Sequence, residues 1–552
     1  MINLRRALFV CLLLASLHAL AQSPRFQISF PASAHAHPIT GRVFVIMAKS
    51  DRAEPRFQAG WWDEQTPIYA VDVSALQPGQ LATIDASSLG YPFKSVKQLP
   101  AGEYYVQALI NVYTEFHRSD GHTIWAHMDQ WEGQHFNRSP GNLYSNVQKV
   151  TLDPAAGFDI KLETHNVIPP VQVPADTKHV KRVKFESKLV SAFWGHPMYI
   201  GATVLLPKGY DEHPSQRYPV VYIQDHFSLH APFGFRDEQN GDGGWPGRSQ
   251  AEEFTRAWLS DDFPRLILVT FQHPTPFFDD SYAVNSANQG PYGDAIMQEL
   301  IPYLETHFRI IREPWARVLT GGSTGGWESL ALQVLHPDFF GGTWTFFPDP
   351  VDFRRYQLVD IYDDDNAFEA PGSEFLPTDR PMMRSSEGQV MVTMRQMSLL
   401  EEVLGTRGRS GQQFEEWEAA YGPVGADGYP RPLWDKLTGK IDHDVATYMR
   451  DHDYDLSYYL QKHWPSIGPQ LVGKIHMYCG DMDNFYLNLA VYKLENFLTG
   501  TNNPAYAGSF EYGRPMKGHG WSPYTVTELT RVMSAAIQKN RPKAAAKLRM
   551  EN

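Results

Sequence analysis

The stretch Val318-Leu319-Thr320-Gly321-Gly322-Ser323-Thr324-Gly325 decides how the rest of the chain reads. An apolar strand pattern runs into a glycine cluster, and a helical pattern follows through Leu335. A serine that acts as a nucleophile must stand on a sharp, strained turn between strand and helix, where flanking side chains would clash. The G-x-S-x-G spacing around Ser323 supplies that turn. Taken alone the pattern is common, and a tightly packed structural turn would look the same. The strand before it and the helix after it favour the nucleophile.

Working outward, residues 199–206, 218–223 and 266–271 are compact apolar runs that read as strands. Residues 295–308 carry helical spacing, with Ile296, Leu300, Ile301 and Leu304 on one face. Strand, turn and helix repeated in this order predict an α/β fold with a mostly parallel sheet covered on both faces. Residues 349–469 break the rhythm. They are charged and rich in Trp, Tyr and Gly, as expected of a lid-like insertion between sheet elements. Upstream, runs such as Arg42-Val43-Phe44-Val45-Ile46 and Tyr104-Tyr105-Val106-Gln107-Ala108-Leu109-Ile110 alternate with turns and predict an all-β sandwich. Val167-Ile168-Pro169-Pro170-Val171-Gln172-Val173-Pro174 reads as an extended connector. The expected organisation is a signal segment at 1–21, a β-sandwich accessory domain at 22–165 and a linker at 166–180. A catalytic domain at 181–540 follows, and then a disordered Lys/Ala-rich tail at 541–552.

The signal reading rests on Arg5 and Arg6, the apolar residues 7–17, and Ala19-Leu20-Ala21 just before Gln22. It predicts a secreted or periplasmic protein. The apolar run is too short to span a bilayer, and no later stretch reaches the roughly 18 apolar residues required. Cys11 lies inside the signal, so Cys479 would be alone in the mature chain, without an internal disulfide. With 552 residues, 42% hydrophobic and 20% charged, the composition is that of a globular multidomain protein. Lys+Arg of 49 against Asp+Glu of 62 gives a net charge of −13, which disfavours nucleic acid as a partner.

A nucleophile needs a base, and the base needs an acid to orient it. The expected order in such a fold is serine, acid, histidine. Ile475-His476-Met477-Tyr478-Cys479 reads as a late strand, with Gly480-Asp481-Met482-Asp483 at its C-terminal end, where open α/β sheets place their sites. His519, between Gly518 and Gly520, sits on a loop free to reach the serine. Asp483 is the preferred acid and Asp481 its rival; either could instead be a strand-end cap.

Further residues carry a family resemblance. Leu205-Leu206-Pro207-Lys208-Gly209-Tyr210 and Tyr218-Pro219-Val220-Val221-Tyr222-Ile223-Gln224-Asp225 resemble the opening of an esterase family of α/β-hydrolases. That family includes enterochelin, feruloyl and acetylxylan esterases and mycolyltransferases. Glu299-Leu300-Ile301-Pro302-Tyr303, residues 321–327 and His336-Pro337-Asp338-Phe339-Phe340 are similar to its later landmarks. The resemblance covers residues 188–537 apart from the long insertion. It implies Ser323 as nucleophile, His519 as general base and Asp483 as acid. The oxyanion hole would use the backbone N–H of Thr324 and that of Phe227. The family usually has glycine where this chain has His226, whose side chain would narrow the pocket or donate a further hydrogen bond.

The expected function is therefore that of a serine esterase acting on a small-molecule or carbohydrate-linked ester. It needs no cofactor, since the triad supplies nucleophile and base. A silent binding protein of the same fold and a serine peptidase are the alternatives. No metal is expected. His117, His122, His127 and His135 match no zinc spacing, and Asp363-Asp364-Asp365-Asn366, Asp442-His443-Asp444 and the acids between 237 and 242 lack a full EF-hand pattern. Trp61, Trp62, Trp125 and Trp131 could stack a sugar, as could Trp245, Phe277, Phe278 and Trp521; core packing is the commoner role for such aromatics.

Overall fold

The computed structural model describes residues 23–60, 65–237, 247–370 and 378–542. The expected signal segment, Trp61, Trp62, Trp245 and most of the expected tail lie outside the described residues. The chain divides into two compact units, Met1–Val112 with Gly141–Ile168, and Tyr113–Pro140 with Pro169–Asn552.

The first unit is built from strands β1 (Arg25–Ser29), β2 (Ile39–Ala48), β3 (Ile68–Leu76), β4 (Ala82–Ile84), β5 (Leu89–Tyr91) and β6 (Gly102–Val112). It continues with β7 (Leu143–Tyr144), β8 (Gln148–Leu152), β9 (Asp159–Glu163) and β10 (Asn166–Val167). Seven strands form one sheet in the order β10-β7-β6-β2-β3-β5, with β8 also paired to β6, and three form a second in the order β9-β1-β4. Alternate residues of each strand turn to one face. Val43, Val45 and Met47 of β2 and Val106, Ala108 and Ile110 of β6 thus share one apolar core with Phe26 and Ile28 of β1 and Leu162 of β9.

The second unit is organised by one eight-stranded sheet. Its strands are β11 (Val180–Glu186), β12 (Tyr199–Leu205), β13 (Val220–Gln224), β14 (Ile267–Gln272), β15 (Arg317–Gly322), β16 (Thr343–Phe346), β17 (Ile475–Gly480) and β18 (Ser509–Gly513). The order is β11-β12-β14-β13-β15-β16-β17-β18. β12 pairs antiparallel with β11 and β14, and every other neighbour is parallel. All five residues of β13 are buried, as befits a parallel strand covered on both sides. Val220 and Tyr222 enter the core on one face, with Ile296, Leu300 and Leu304. Val221 and Ile223 enter the other, with Phe254, Trp258, Val526 and Met533. The apolar runs and the amphipathic face read from the sequence are the residues that fill these two layers.

The helices of this unit used below are α1 (Arg248–Trp258), α2 (Thr324–Leu335), α3 (Met394–Leu404), α4 (Gln413–Tyr421), α5 (His443–Asp451), α6 (Leu456–Leu471), α7 (Asn488–Thr499) and α8 (Val526–Asn540). α3 to α6 belong to the segment between β16 and β17. α4 is buried from Phe414 to Tyr421 although it carries Glu415, Glu416 and Glu418. Lys436 Nζ reaches Glu401 and Glu418 at 3.1 Å each. Burial still pushes the Glu401 carboxyl up to about 8 and that of Glu418 to about 7. Two of the candidate calcium acids are ion-paired, Asp364 with Arg380 at 2.8 Å and Asp442 with Arg431 at 2.6 Å, while those between 238 and 242 lie outside the described residues.

Residues 113–140, read from the sequence as part of the all-β segment, group with this second unit. The buried Arg118 guanidinium donates to the carbonyls of Asn288 (3.2 Å) and Gly428 (3.0 Å), which anchors the hairpin Thr114–His117/Thr123–Ala126 there.

Candidate active site

Ser323 stands between the end of β15 and the start of α2 with φ 58° and ψ −123°, a conformation that costs a non-glycine residue on the order of 1–3 kcal/mol. Its surroundings hold it there. The Ser323 amide donates to Phe346 O, and the amides of Trp327 and Asp349 donate to Ser323 O, each at 3.1 Å. The glycines are required by close approach. A Cβ on Gly321 would lie 2.1 Å from the Gly325 carbonyl oxygen, and one on Gly325 would lie 2.1 Å from that of Gln224 at the end of β13.

His519 Nε2 lies 3.1 Å from Ser323 Oγ, and His519 Nδ1 lies 2.8 Å from Asp483 Oδ2. A carboxylate can only accept, so Asp483 fixes the tautomer with its proton on Nδ1 and leaves Nε2 free to accept from the serine. Asp483 is fully buried, and its other oxygen accepts from the amides of Phe485 (2.9 Å) and Leu487 (3.2 Å). The His519 amide donates to Asn484 Oδ1 at 2.7 Å, and the ring packs between Phe347 and Phe485. Asp481 turns elsewhere: its carboxylate accepts from the Lys517 amide at 3.0 Å and clips the loop that carries His519.

These groups open onto a cavity of about 230 Å³ lined mainly by apolar side chains, among them Ile223, Phe233, Phe346, Phe347, Val526 and Leu529. Thr324 is the first residue of α2, so its amide is among those without an intrahelical acceptor. His226 lines this cavity. Phe227 lines a larger neighbouring groove of about 990 Å³, and its ring packs edge-on to Trp131. Trp131, Phe277 and Phe278 are buried.

Asp349 is a site residue that sequence reasoning missed. Its Oδ1 lies 3.4 Å from Ser323 Oγ, and its Oδ2 accepts from Tyr282 Oη (2.5 Å), Thr324 Oγ1 (3.0 Å) and Gln413 Nε2 (3.1 Å). Burial raises its carboxyl pKa. The signal available was the one used for Asp483, an acid just past a strand end. His226 Nδ1 meets a second unanticipated pair, Asp279 at 3.1 Å and Asp280 at 3.5 Å.

The sheet order, the serine at the strand-to-helix turn and the hydrogen-bonded Ser–His–Asp chain define an α/β-hydrolase fold. Residues 196–383 match the family described as "Putative esterase", which bears out the family resemblance carried by the sequence. Among curated proteins, a Xylanibacter ruminicola endo-1,4-beta-xylanase/feruloyl esterase is 25% identical over 145 residues, covering 25% of this chain and 18% of that protein. An uncharacterised Bacillus subtilis protein, YbbA, is 25% identical over 149 residues, covering 25% of this chain and 52% of that protein. The chain thus spans about a fifth and about half of these relatives. Solved structures that resemble it include a ferulic acid esterase from Anaeromyces mucronatus, with 14% identity, TM-score 0.29, and coverage of 67% of this chain and 97% of that one. An S-formylglutathione hydrolase from Staphylococcus aureus has 11% identity and TM-score 0.31, with coverage of 65% and 100%.

Proposed function

We propose that this chain is a serine esterase that cleaves carboxylic esters through an acyl-enzyme on Ser323. The observation that carries the reading is the continuous hydrogen-bonded path from Ser323 Oγ through His519 to the buried Asp483, opening on an apolar cavity. His519 takes the Ser323 proton as Oγ attacks the ester carbonyl, and the imidazolium that forms is held by Asp483. The Thr324 amide, with the Phe227 amide as second donor, stabilises the oxyanion; one such donor is typically worth about 3–4 kcal/mol. His519 then protonates the leaving alcohol, and water attacks the acyl-enzyme with His519 again as base. The apolar lining takes the acyl group, and the wider groove beside it takes the alcohol, such as a sugar.

The basic and apolar residues before Gln22 support export of the chain, and the two sheets of the first unit support a β-sandwich accessory domain. The test of the activity is initial rates on aryl acyl esters and on feruloyl and acetylated sugar esters, with wild type and Ser323→Ala side by side. Turnover that vanishes in the variant is the expected result. A folded wild type inactive on every ester would overturn the proposal.

A further inference from the structure

Behind the loop that carries His226 lies a group of buried acids for which the hydrolytic chemistry has no use. Asp279 and Asp280 follow β14, and Glu328 sits on α2 beyond Ser323. Asp280 and Glu328 are 1% and 0% exposed. His226 Nδ1, a carboxylate oxygen of Asp279 and one of Asp280 all lie within 4.8 Å of one another. Asp280 Oδ1 accepts from the Tyr282 amide at 3.0 Å, which orients the carboxylate; its Oδ2 has only His226 Nδ1 facing it, at 3.5 Å, and both oxygens of Glu328 lack a hydrogen-bond donor among the described residues. Glu328 Oε1 has His273 Nε2 at 3.9 Å, beyond hydrogen-bond range.

Buried carboxylate oxygens without donors are costly unless a cation or a proton meets them. One imidazole cannot serve three acids. A single divalent ion would engage His226, Asp279 and Asp280 together, beside the buried Glu328 carboxyl. One nitrogen and several carboxylate oxygens suit a first-row ion such as Zn²⁺ or Mn²⁺, whereas Ca²⁺ takes oxygen alone. We propose that His226, Asp279 and Asp280 bind one divalent cation of the Zn²⁺ or Mn²⁺ type, with Glu328 as a neighbouring buried carboxyl. Such an ion would tie the loop after β13, which carries His226 and Phe227, to the segment after β14.

The test uses the untagged full chain, stripped with a chelator and titrated calorimetrically with ZnCl₂ and with MnCl₂. Metal content is read by mass spectrometry, and Co²⁺ reconstitution is followed by visible absorption. One ion per chain is expected, with affinity at least roughly tenfold weaker in His226→Gln and in Asp279→Asn/Asp280→Asn. Circular dichroism checks the fold of each variant. No saturable binding by folded wild type overturns the proposal and leaves a proton shared between Asp280 and Glu328 as the device that neutralises the cluster. Unchanged affinity in folded His226→Gln overturns it too, because the ion would then sit elsewhere. No ester is present in these measurements, so their outcome is independent of the hydrolytic reading.

Discussion

Two aspartates stand at the end of β17, and only Asp483 reaches His519. Asp483→Asn would present the imidazole with a donor, favour the wrong tautomer and lower kcat by about four orders of magnitude. Asp481→Asn leaves the His519 contacts intact, so its kcat on the same aryl ester is expected to equal that of wild type. Comparing the two variants in one assay checks the assignment. At this scale the sequence was informative where chemistry follows chain spacing. Ser323 lies in its glycine turn, Asp483 just past a strand, and His519 between glycines. Asp349 follows a strand end as Asp483 does, but its role was not legible, because its partners Tyr282, Thr324 and Gln413 come from separate segments that only the fold brings together. His226 drew notice as a residue in a glycine's place, but nothing in its neighbours announced Asp279 and Asp280.

The turn between β15 and α2 works because Gly325 lies against the end of β13. Gly325→Ala would drive a methyl group into the Gln224 carbonyl at 2.1 Å, a backbone contact that cannot swing aside. A loss of at least about 1–3 kcal/mol in stability is expected, read from the midpoint of urea unfolding. A second element-level prediction concerns α4. Trp417 Nε1 donates to Tyr282 Oη at 2.6 Å within the buried network around Asp349. Trp417→Phe removes that donor and should cost about 1–3 kcal/mol in the same unfolding assay. The central strands were readable because a strand covered on both faces is apolar throughout. α4 was not, since its buried glutamates are met by the Ser410 amide (Glu415), Gln289 (Glu416) and Lys436 (Glu418), and hydrophobic periodicity carries no trace of such pairing.

On the scale of the whole molecule, the two units hold separate cores, and the segment 113–140, with its hairpin, belongs to the second. The sequence pattern shows strands there but not which core they join, a choice made by distant partners such as Gly428. The same segment, at His135, gives the fold a pH dependence. Burial, reinforced by Arg138, lowers the His135 pKa from 6.5 to about 4. Between those values the unfolded chain binds the proton and the folded chain does not, so stability falls as pH drops from 6.5 toward about 4. In a scan of melting temperature against pH, His135→Gln is expected to show a shallower decline over this window than wild type. An identical slope would assign the acid sensitivity to other groups.

The central claim is that Ser323 is the nucleophile of an esterase. The most direct measurement is to react the purified chain with a fluorophosphonate, weigh the intact protein and map the modified peptide. The account predicts one adduct, located on Ser323, formed in step with loss of ester turnover and absent from Ser323→Ala. An adduct on another residue, or none on a folded chain, would contradict it.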